Sequence, residues 1–182
     1  MTIKHFLVDK EHPLPADYIP KDLVLAPIPF AAQLDDPKCL ISSAMYHPLN
    51  SLYFASRKMG LQLIGISAYR SYERQKEIYE HSIATRGYSY TEKYIAAPGT
   101  SEHQTGLAID LSCPSNHYEL TESFAKTPEG QWLTRYAPLY GFLFSYPEDS
   151  YEKTGYYYEP WHIRYACTNT GYYDIIDMMS KK

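Results

Sequence analysis

The stretch that decides the fold is Ser101-Glu102-His103-Gln104-Thr105-Gly106-Leu107-Ala108-Ile109-Asp110. It places His103 and Asp110 seven residues apart, with a glycine between them. From residue 107 to residue 112, apolar side chains alternate with small or polar ones, which is typical of a strand with one buried face. We therefore expect Asp110 on the face opposite the apolar side chains, and His103 in the turn before the strand. A carboxylate on a rigid strand beside an imidazole suits a metal site or an acid–base site.

A second stretch, Tyr158-Glu159-Pro160-Trp161-His162-Ile163-Arg164-Tyr165, alternates in the same way. Proline biases the residue before it away from helical backbone, so we expect Glu159 and His162 where a loop enters a strand. Two histidines and an aspartate with a separate glutamate match one plan of zinc hydrolases, in which three ligands leave a position for water and a carboxylate takes its proton. The sequence has no His-Glu-x-x-His, which excludes the helical zinc-protease motif as the source of the ligands. On chemistry alone, a metal site and a set of ordinary structural side chains are equal alternatives.

Length and composition indicate one domain over residues 1–182, long enough for a hydrophobic core. The formal net charge of −4 and the lack of any Lys/Arg cluster argue against nucleic acid as a partner. No stretch is apolar enough to predict a membrane span. The chain has 20 tyrosines against six phenylalanines. Such a balance suits stacking on polar or sugar-bearing ligands, although half-buried sheet and rim positions are the commoner use of tyrosine.

The three cysteines, Cys39, Cys113 and Cys167, are odd in number and scattered, which is not the pattern of a disulfide framework. They fit a reducing compartment better than an oxidising one. The first ten residues carry no apolar run of the kind found in signal peptides. The sequence therefore favours a cytoplasmic protein, and the alternative is an exported protein whose export segment has been removed.

Short strands and helices follow one another without regular strand–helix–strand alternation, which indicates the α+β class. Six prolines predict an irregular N-terminal arm over residues 1–37, with a short edge strand at 23–26. We expect Pro48 to split or delay the helix around it. Beyond the arm, the patterns predict helices at 40–59, 72–85, 128–136 and 173–179, strands at 61–68 and 142–145, and a tyrosine-rich connection at 88–100.

Three motifs together resemble a known family. Ser-x-His-x-x-Gly-x-Ala-x-Asp at 101–110 precedes Glu-Pro-Trp-His-x-Arg-Tyr at 159–165, and Tyr-Arg-Ser-Tyr-Glu-Arg-Gln stands before both at 69–75. In residues and order they are similar to the VanY/VanX-type D-alanyl-D-alanine peptidases, in the group that also holds lysostaphin-like enzymes and the hedgehog signalling domain. The opening of the chain further resembles the cytoplasmic VanXY subgroup, which combines dipeptidase and carboxypeptidase action. The resemblance implies a small, mainly antiparallel central sheet that carries a zinc site and is flanked by helices.

The resemblance also implies the residues of the metal centre. His103, Asp110 and His162 would bind one zinc ion per chain. Glu159 would be the general base, which takes a proton from water and returns it to the leaving D-alanine amine. These assignments agree with the chemistry expected of the residues themselves.

Four further residues receive roles from the same resemblance. Arg70 would face the polarised carbonyl oxygen, and arginine suits this position because it stays charged and offers several donors in a fixed plane. Ser101 and Gln75 would help to hold the terminal carboxylate or the backbone of the substrate. Trp161 would pack beside the site.

The implied function is a zinc D,D-carboxypeptidase that removes the terminal D-Ala from peptidoglycan precursor peptides ending in D-Ala-D-Ala, with the free D-Ala-D-Ala dipeptide as a further substrate. Two alternatives share the fold, an L,D-carboxypeptidase that trims tetrapeptides and a peptidoglycan endopeptidase. A third is a zinc-binding module without catalysis, which a missing base would favour, yet Glu159 is present. The motifs leave open whether the role is antibiotic resistance or ordinary cell-wall turnover.

Overall fold

The computed structural model describes residues 8–166 of the chain. The strands form two antiparallel sheets, and along the sequence they alternate irregularly with helices. In chain order, the strands and α-helices are β1 (Leu23–Leu25), β2 (Leu40–Ser42), α1 (Ser43–Lys58), β3 (Ile64–Ser67), α2 (Tyr72–Arg86), α3 (Tyr88–Tyr94), β4 (Ala108–Ser112), α4 (Pro128–Tyr136), β5 (Phe142–Phe144), α5 (Tyr151–Thr154) and β6 (His162–Tyr165).

Four antiparallel strands form the central sheet, in the order β3-β4-β6-β5. Strand β4 lies between β3 and β6, and its Asp110 pairs with His162 of β6. On the other side, Ser67 of β3 pairs with the same aspartate after a register irregularity. The expected α+β fold with a mainly antiparallel central sheet is confirmed. Strand register alone brings two of the predicted metal ligands to adjacent positions.

Strand β4 has no solvent-exposed face, because all five of its residues are buried. Ile109 and Leu111 belong to the hydrophobic core. Asp110, on the opposite face, lines a cleft. The alternation predicted one buried face, and the structure shows that both faces of β4 are buried. One face packs in the hydrophobic core, and the other faces the cleft.

Helix α1 begins three residues later than the predicted start at residue 40, because Leu40–Ser42 pair instead with β1. The helix runs through Pro48 without a break, so the expectation that this proline splits or delays it was wrong. Proline removes one backbone hydrogen bond from a helix interior. Burial of side chains such as Met45 and Leu52 against the core outweighs that loss.

The tyrosine-rich connection predicted at 88–100 was partly wrong, because its first half is helix α3. A hydrogen bond of 2.8 Å between the hydroxyls of Ser82 and Thr91 joins α3 to α2. This tertiary contact is invisible in local sequence pattern. The helices predicted at 72–85 and 128–136 and the strands at 61–68 and 142–145 are present, both strands shorter than predicted. The helix predicted at 173–179 lies outside the described residues.

Strand β1 falls within the predicted edge strand at 23–26, and it pairs with β2 in a separate two-stranded sheet. The proline-rich segment before it contacts the turn that carries His103, because Gln104 Nε2 donates to the Pro15 carbonyl at 3.0 Å. Among residues 8–166, no helix has both the length and the apolar character needed to cross a bilayer.

Candidate metal centre

His103 lies in the short 3₁₀ turn Glu102–Thr105, which ends at Gly106 in left-handed backbone with φ of 69°. Glycine adopts this conformation without the strain that a side chain would add. The imidazole Nδ1 lies 2.7 Å from the Ala68 carbonyl oxygen. Because a carbonyl can only accept, Nδ1 carries the proton and donates it. The lone pair is therefore on Nε2, which faces Asp110.

Asp110 lies between the two imidazoles. Its Oδ2 is 3.1 Å from His103 Nε2, and its Oδ1 is 2.9 Å from His162 Nδ1. One potential ligand atom from each of the three side chains lies within 4.8 Å of the others. The side chains are only 3–6% exposed. The structure thus brings together the three predicted metal ligands in one buried cluster.

Electrostatics at the cluster favour a charged carboxylate. Burial alone would raise the pKa of Asp110, but the interactions with His103 and His162 hold it below its usual range. Burial lowers the pKa of His162, yet its hydrogen bonds to Asp110 and Glu102 outweigh burial and raise it to about 10. Burial is also the main cause of the lowered pKa of His103. A metal ion would replace the protons that these groups share.

The donor set fits zinc. Two imidazole nitrogens and one carboxylate oxygen are a ligand combination typical of zinc sites that retain an open position. In each imidazole, the nitrogen that points away from Asp110 is hydrogen-bonded to an acceptor. For His103 the acceptor is the Ala68 carbonyl, and for His162 it is the Glu102 carboxylate. Such bonds orient metal-binding histidines. The remaining nitrogens, His103 Nε2 and His162 Nδ1, both face the aspartate.

Glu159 stands in the loop before β6, as predicted from Pro160. Its backbone N–H donates to the Tyr146 carbonyl at 3.0 Å, and its own carbonyl accepts from the His162 N–H at 3.2 Å. Its carboxylate lies 4.0 Å from His162 Nδ1, and only 20% of the side chain is exposed. Burial, with help from the nearby negative charge of Asp110, raises the pKa of Glu159 to about 8. A dication in the cluster would lower it again, because positive charge stabilises the carboxylate.

Arg70 follows β3, and a set of polar contacts fixes its guanidinium. Nη1 donates to Gln75 Oε1 at 2.9 Å, and Nη2 donates to Ser67 Oγ at 3.1 Å. Nη2 also lies 3.7 Å from Asp110 Oδ2. Gln75 is 1% exposed, and its amide nitrogen donates to the Ala96 carbonyl at 2.6 Å. In the structure Gln75 therefore holds Arg70, and its predicted contact with a substrate stays a prediction.

One cleft of about 270 Å³ is lined by all eight of the predicted site residues. Ser101 and Trp161 thus reach the same space as the ligands and Glu159, although their predicted contacts with substrate stay predictions. The eight residues are Arg70, Gln75, Ser101, His103, Asp110, Glu159, Trp161 and His162.

Tyrosines form much of the outer cleft. Four rings stack in series, with centroids 4.4 Å apart for Tyr90 and Tyr94, 4.8 Å for Tyr94 and Tyr157, and 4.8 Å for Tyr157 and Tyr151. The stack joins α3 to the segment around α5, and two of its rings, Tyr90 and Tyr94, line the cleft.

Three residues at the site were not predicted from the sequence. Glu102 accepts from His162 Nε2, Arg164 forms an ion pair with Glu102, and the Tyr146 ring packs on the His162 ring with centroids 5.1 Å apart. Arg164 stands two residues after His162, and period-two alternation along a strand puts the two side chains on the same side. Neither Glu102 nor Tyr146 stands at a spacing that marks a metal site, so only the fold reveals them.

The fold and these donors define a class, an α+β protein with a two-histidine, one-aspartate metal site and a buried glutamate beside it. Residues 38–168 match the protein family described as VanY, D-alanyl-D-alanine carboxypeptidase. The chain therefore belongs to this family.

Two curated relatives illustrate the match. The chain is 41% identical over 160 residues to YodJ of Bacillus subtilis (strain 168), a protein named as a candidate carboxypeptidase, and the match covers 88% of this chain but 59% of YodJ. It is 33% identical over 164 residues to the bifunctional D-Ala-D-Ala dipeptidase and carboxypeptidase VanXYC of Enterococcus gallinarum, covering 88% of this chain and 82% of that protein.

Solved structures agree with the fold and with the metal. The LD-carboxypeptidase LdcB superposes with a TM-score of 0.86 at 38% identity, covering 96% of this chain and 80% of LdcB. A mutant of the vancomycin-resistance D,D-pentapeptidase VanY, solved in complex with Zn(II), superposes with a TM-score of 0.70 at 32% identity, covering 91% of this chain and 89% of VanY.

Proposed function

We propose that this protein is a zinc-dependent D,D-carboxypeptidase, which removes the terminal D-alanine from peptidoglycan precursor peptides that end in D-Ala-D-Ala. The observation that carries the proposal is the buried cluster of His103, Asp110 and His162 with Glu159 beside it, in one cleft. VanXYC, whose name states dipeptidase and carboxypeptidase activity on D-Ala-D-Ala, and VanYB, solved in complex with D-alanine-D-alanine, support the substrate class.

Each of the residues in the cleft has a separate role in peptide hydrolysis. A zinc ion held by His103, Asp110 and His162 would supply Lewis acidity, which lowers the pKa of a water molecule and polarises a carbonyl group. Glu159, largely buried beside the metal ligands, takes the proton from the attacking water and returns it to the departing amine. Arg70, held by Gln75 and Ser67, donates to the carbonyl oxygen as negative charge develops there. The bond that breaks is the peptide bond, and its two products are a shortened peptide and free D-alanine.

A second candidate is an L,D-carboxypeptidase that trims tetrapeptides ending in a single D-alanine. The structural similarity to LdcB, an LD-carboxypeptidase, favours it. Both candidates use the same metal, base and arginine. They differ in the chirality of the residue on the amino side of the scissile bond, which the walls of the cleft must select.

The test is release of D-alanine by the zinc-loaded protein from three substrates offered separately. These are D-Ala-D-Ala, a pentapeptide ending in D-Ala-D-Ala, and a tetrapeptide ending in one D-alanine. We expect cleavage of the pentapeptide, and cleavage of the dipeptide as well would give the bifunctional activity. Cleavage of the tetrapeptide alone would replace the D,D assignment with the L,D one. Inactivity on all three, with zinc bound, would contradict both and favour an endopeptidase or a zinc-binding module.

Replacement of Arg70 by alanine is expected to lower kcat by about 10²- to 10³-fold, the usual effect of removing one donor to a developing oxyanion. KM should change much less, because the interaction strengthens mainly in the transition state. Arg74→Ala is the matched control, since Arg74 lies near Arg70 in sequence but is exposed and pairs with Glu77. Steady-state kinetics with zinc content measured in parallel would check this. A rise in KM at constant kcat would make Arg70 a binding residue only.

We propose that the protein acts in the cytoplasm, on soluble dipeptide and on lipid- or nucleotide-linked precursors. The support is chemical: within residues 8–166 the two cysteines, Cys39 and Cys113, are buried free thiols. Fractionation of cells expressing the protein with its full coding sequence, followed by immunodetection, would place it. Recovery from the cell surface would redirect the proposal to mature wall peptides.

A further inference from the structure

Glu102 is a buried carboxylate behind His162 that the proposed reaction does not use. Its Oε2 accepts from Ser145 Oγ at 2.6 Å and lies 2.8 Å from His162 Nε2. Its Oε1 lies 2.8 Å from Arg164 Nε, and only 6% of its side chain is exposed. A buried charge is costly unless it is well paired. One oxygen of this paired carboxylate, Oε2, contacts His162, which is a predicted metal ligand.

The contact with Glu102 decides which nitrogen of His162 is available to a metal. An ionised carboxylate can only accept hydrogen bonds, so His162 Nε2 must carry its proton and donate. Nδ1, which lies 2.9 Å from Asp110 Oδ1, is then the nitrogen whose proton a metal ion would displace, so the lone pair offered to the metal is on Nδ1. Metal-binding histidines usually donate their second nitrogen to such an acceptor, which raises their basicity as ligands.

The other neighbours of His162 cannot make this choice. The rings of Tyr146 and His103 pack against it, with centroids 5.1 Å and 5.0 Å away. Ring packing limits the plane of the imidazole, but it distinguishes nitrogen from carbon only weakly. Asp110 would also accept from either nitrogen if the ring were turned. Among the groups that contact the ring in the described part of the chain, Glu102 is the one that requires Nε2 on the side away from Asp110.

We propose that Glu102 is a positioning residue, which holds His162 so that Nδ1 is the metal ligand and thereby strengthens zinc binding. Arg164 and Ser145 hold Glu102 in turn. Arg164 is on the same strand as His162, two residues further on, and both strand positions pair with β4. The inference rests on the metal centre of the proposed function and is independent of which peptide is cut.

The test compares zinc affinity in three variants by competition with a chromophoric chelator, without substrate. Glu102→Ala is expected to weaken zinc binding by about 10- to 100-fold. Glu102→Gln should weaken it less, because the amide oxygen can still accept from Nε2–H. Gln104→Ala is the matched control and should leave affinity unchanged. Gln104 is also buried on the same turn, but its amide nitrogen donates to the Pro15 and Tyr18 carbonyls.

A spectroscopic measurement separates positioning from general destabilisation. In the zinc-loaded protein labelled with ¹⁵N-histidine, long-range ¹H–¹⁵N spectra should show His162 protonated at Nε2 and ligated at Nδ1, with slower exchange of that proton than in Glu102→Gln. If circular dichroism shows that apo Glu102→Ala does not fold, the zinc affinity and the spectra of Glu102→Gln alone test the inference.

Two outcomes would overturn the inference, namely unaltered zinc affinity in both Glu102 variants or ligation of His162 through Nε2. Equal weakening in Gln104→Ala would also overturn it, because the effect would then belong to the turn as a whole. A protein that shows the expected affinities yet cuts none of the three peptides would contradict the proposed function alone.

Discussion

Replacement of Glu159 by glutamine is expected to lower kcat by about 10²- to 10⁴-fold, the contribution typical of a general acid–base residue. Glutamine keeps the shape of the side chain but cannot take a proton from water. Zinc should remain bound, because the three ligand side chains lie together without Glu159. The wild-type carboxylate is placed for proton transfer, because it is largely buried and lies 4.0 Å from His162 Nδ1, beside the metal ligands. Single-turnover and steady-state release of D-alanine would measure the loss.

The matched control is Glu152→Gln, because Glu152 is an exposed glutamate on α5. It should behave as wild type in rate, zinc content and thermal stability. Zinc stoichiometry must be measured on the same samples, since a fall in both rate and metal would assign Glu159 to the metal centre instead. Full activity in Glu159→Gln would remove this residue as the base.

The sequence was sufficient to predict which three candidate ligands come together, because their positions depend on local pattern and strand register. Period-two alternation placed Asp110 and His162 on β4 and β6, and antiparallel pairing then set them opposite one another. His103 needed only a short turn closed by a glycine. The positions of these three residues follow from the backbone, and the pattern of the sequence is enough to predict that backbone.

The parts that escaped prediction depend on contacts between distant segments. Glu102 and Ser145 are 43 residues apart in sequence, and the hydrogen bond between their side chains forms only in the folded chain. Helix α3 formed where a loop was predicted, because its tyrosines stack on rings near residue 157. Pro48 was misjudged for a similar reason, as burial of α1 against the core outweighs a local preference.

His103→Ala is expected to abolish both stoichiometric zinc binding and activity. The variant leaves two of the three protein ligands, and a site of this kind holds its metal through the combined ligands in a fixed geometry. Zinc should therefore be lost from this variant on dialysis, while the wild type retains it. The Ala68 carbonyl loses its hydrogen bond from Nδ1, so the apo protein should also be less stable by about 1–3 kcal/mol.

Thermal unfolding with and without zinc makes this prediction specific to the metal. A ligand that binds only the folded state stabilises it by about 4 kcal/mol at a thousand times its Kd. Wild type should therefore melt at a higher temperature when zinc is added, and His103→Ala should show almost no such shift. His81→Ala, which alters an exposed histidine on α2, is the control and should keep the full shift. If His103→Ala retained one zinc per chain and the wild-type shift, His103 could not be a ligand, and the metal would have to bind through Asp110 and His162 with a different partner.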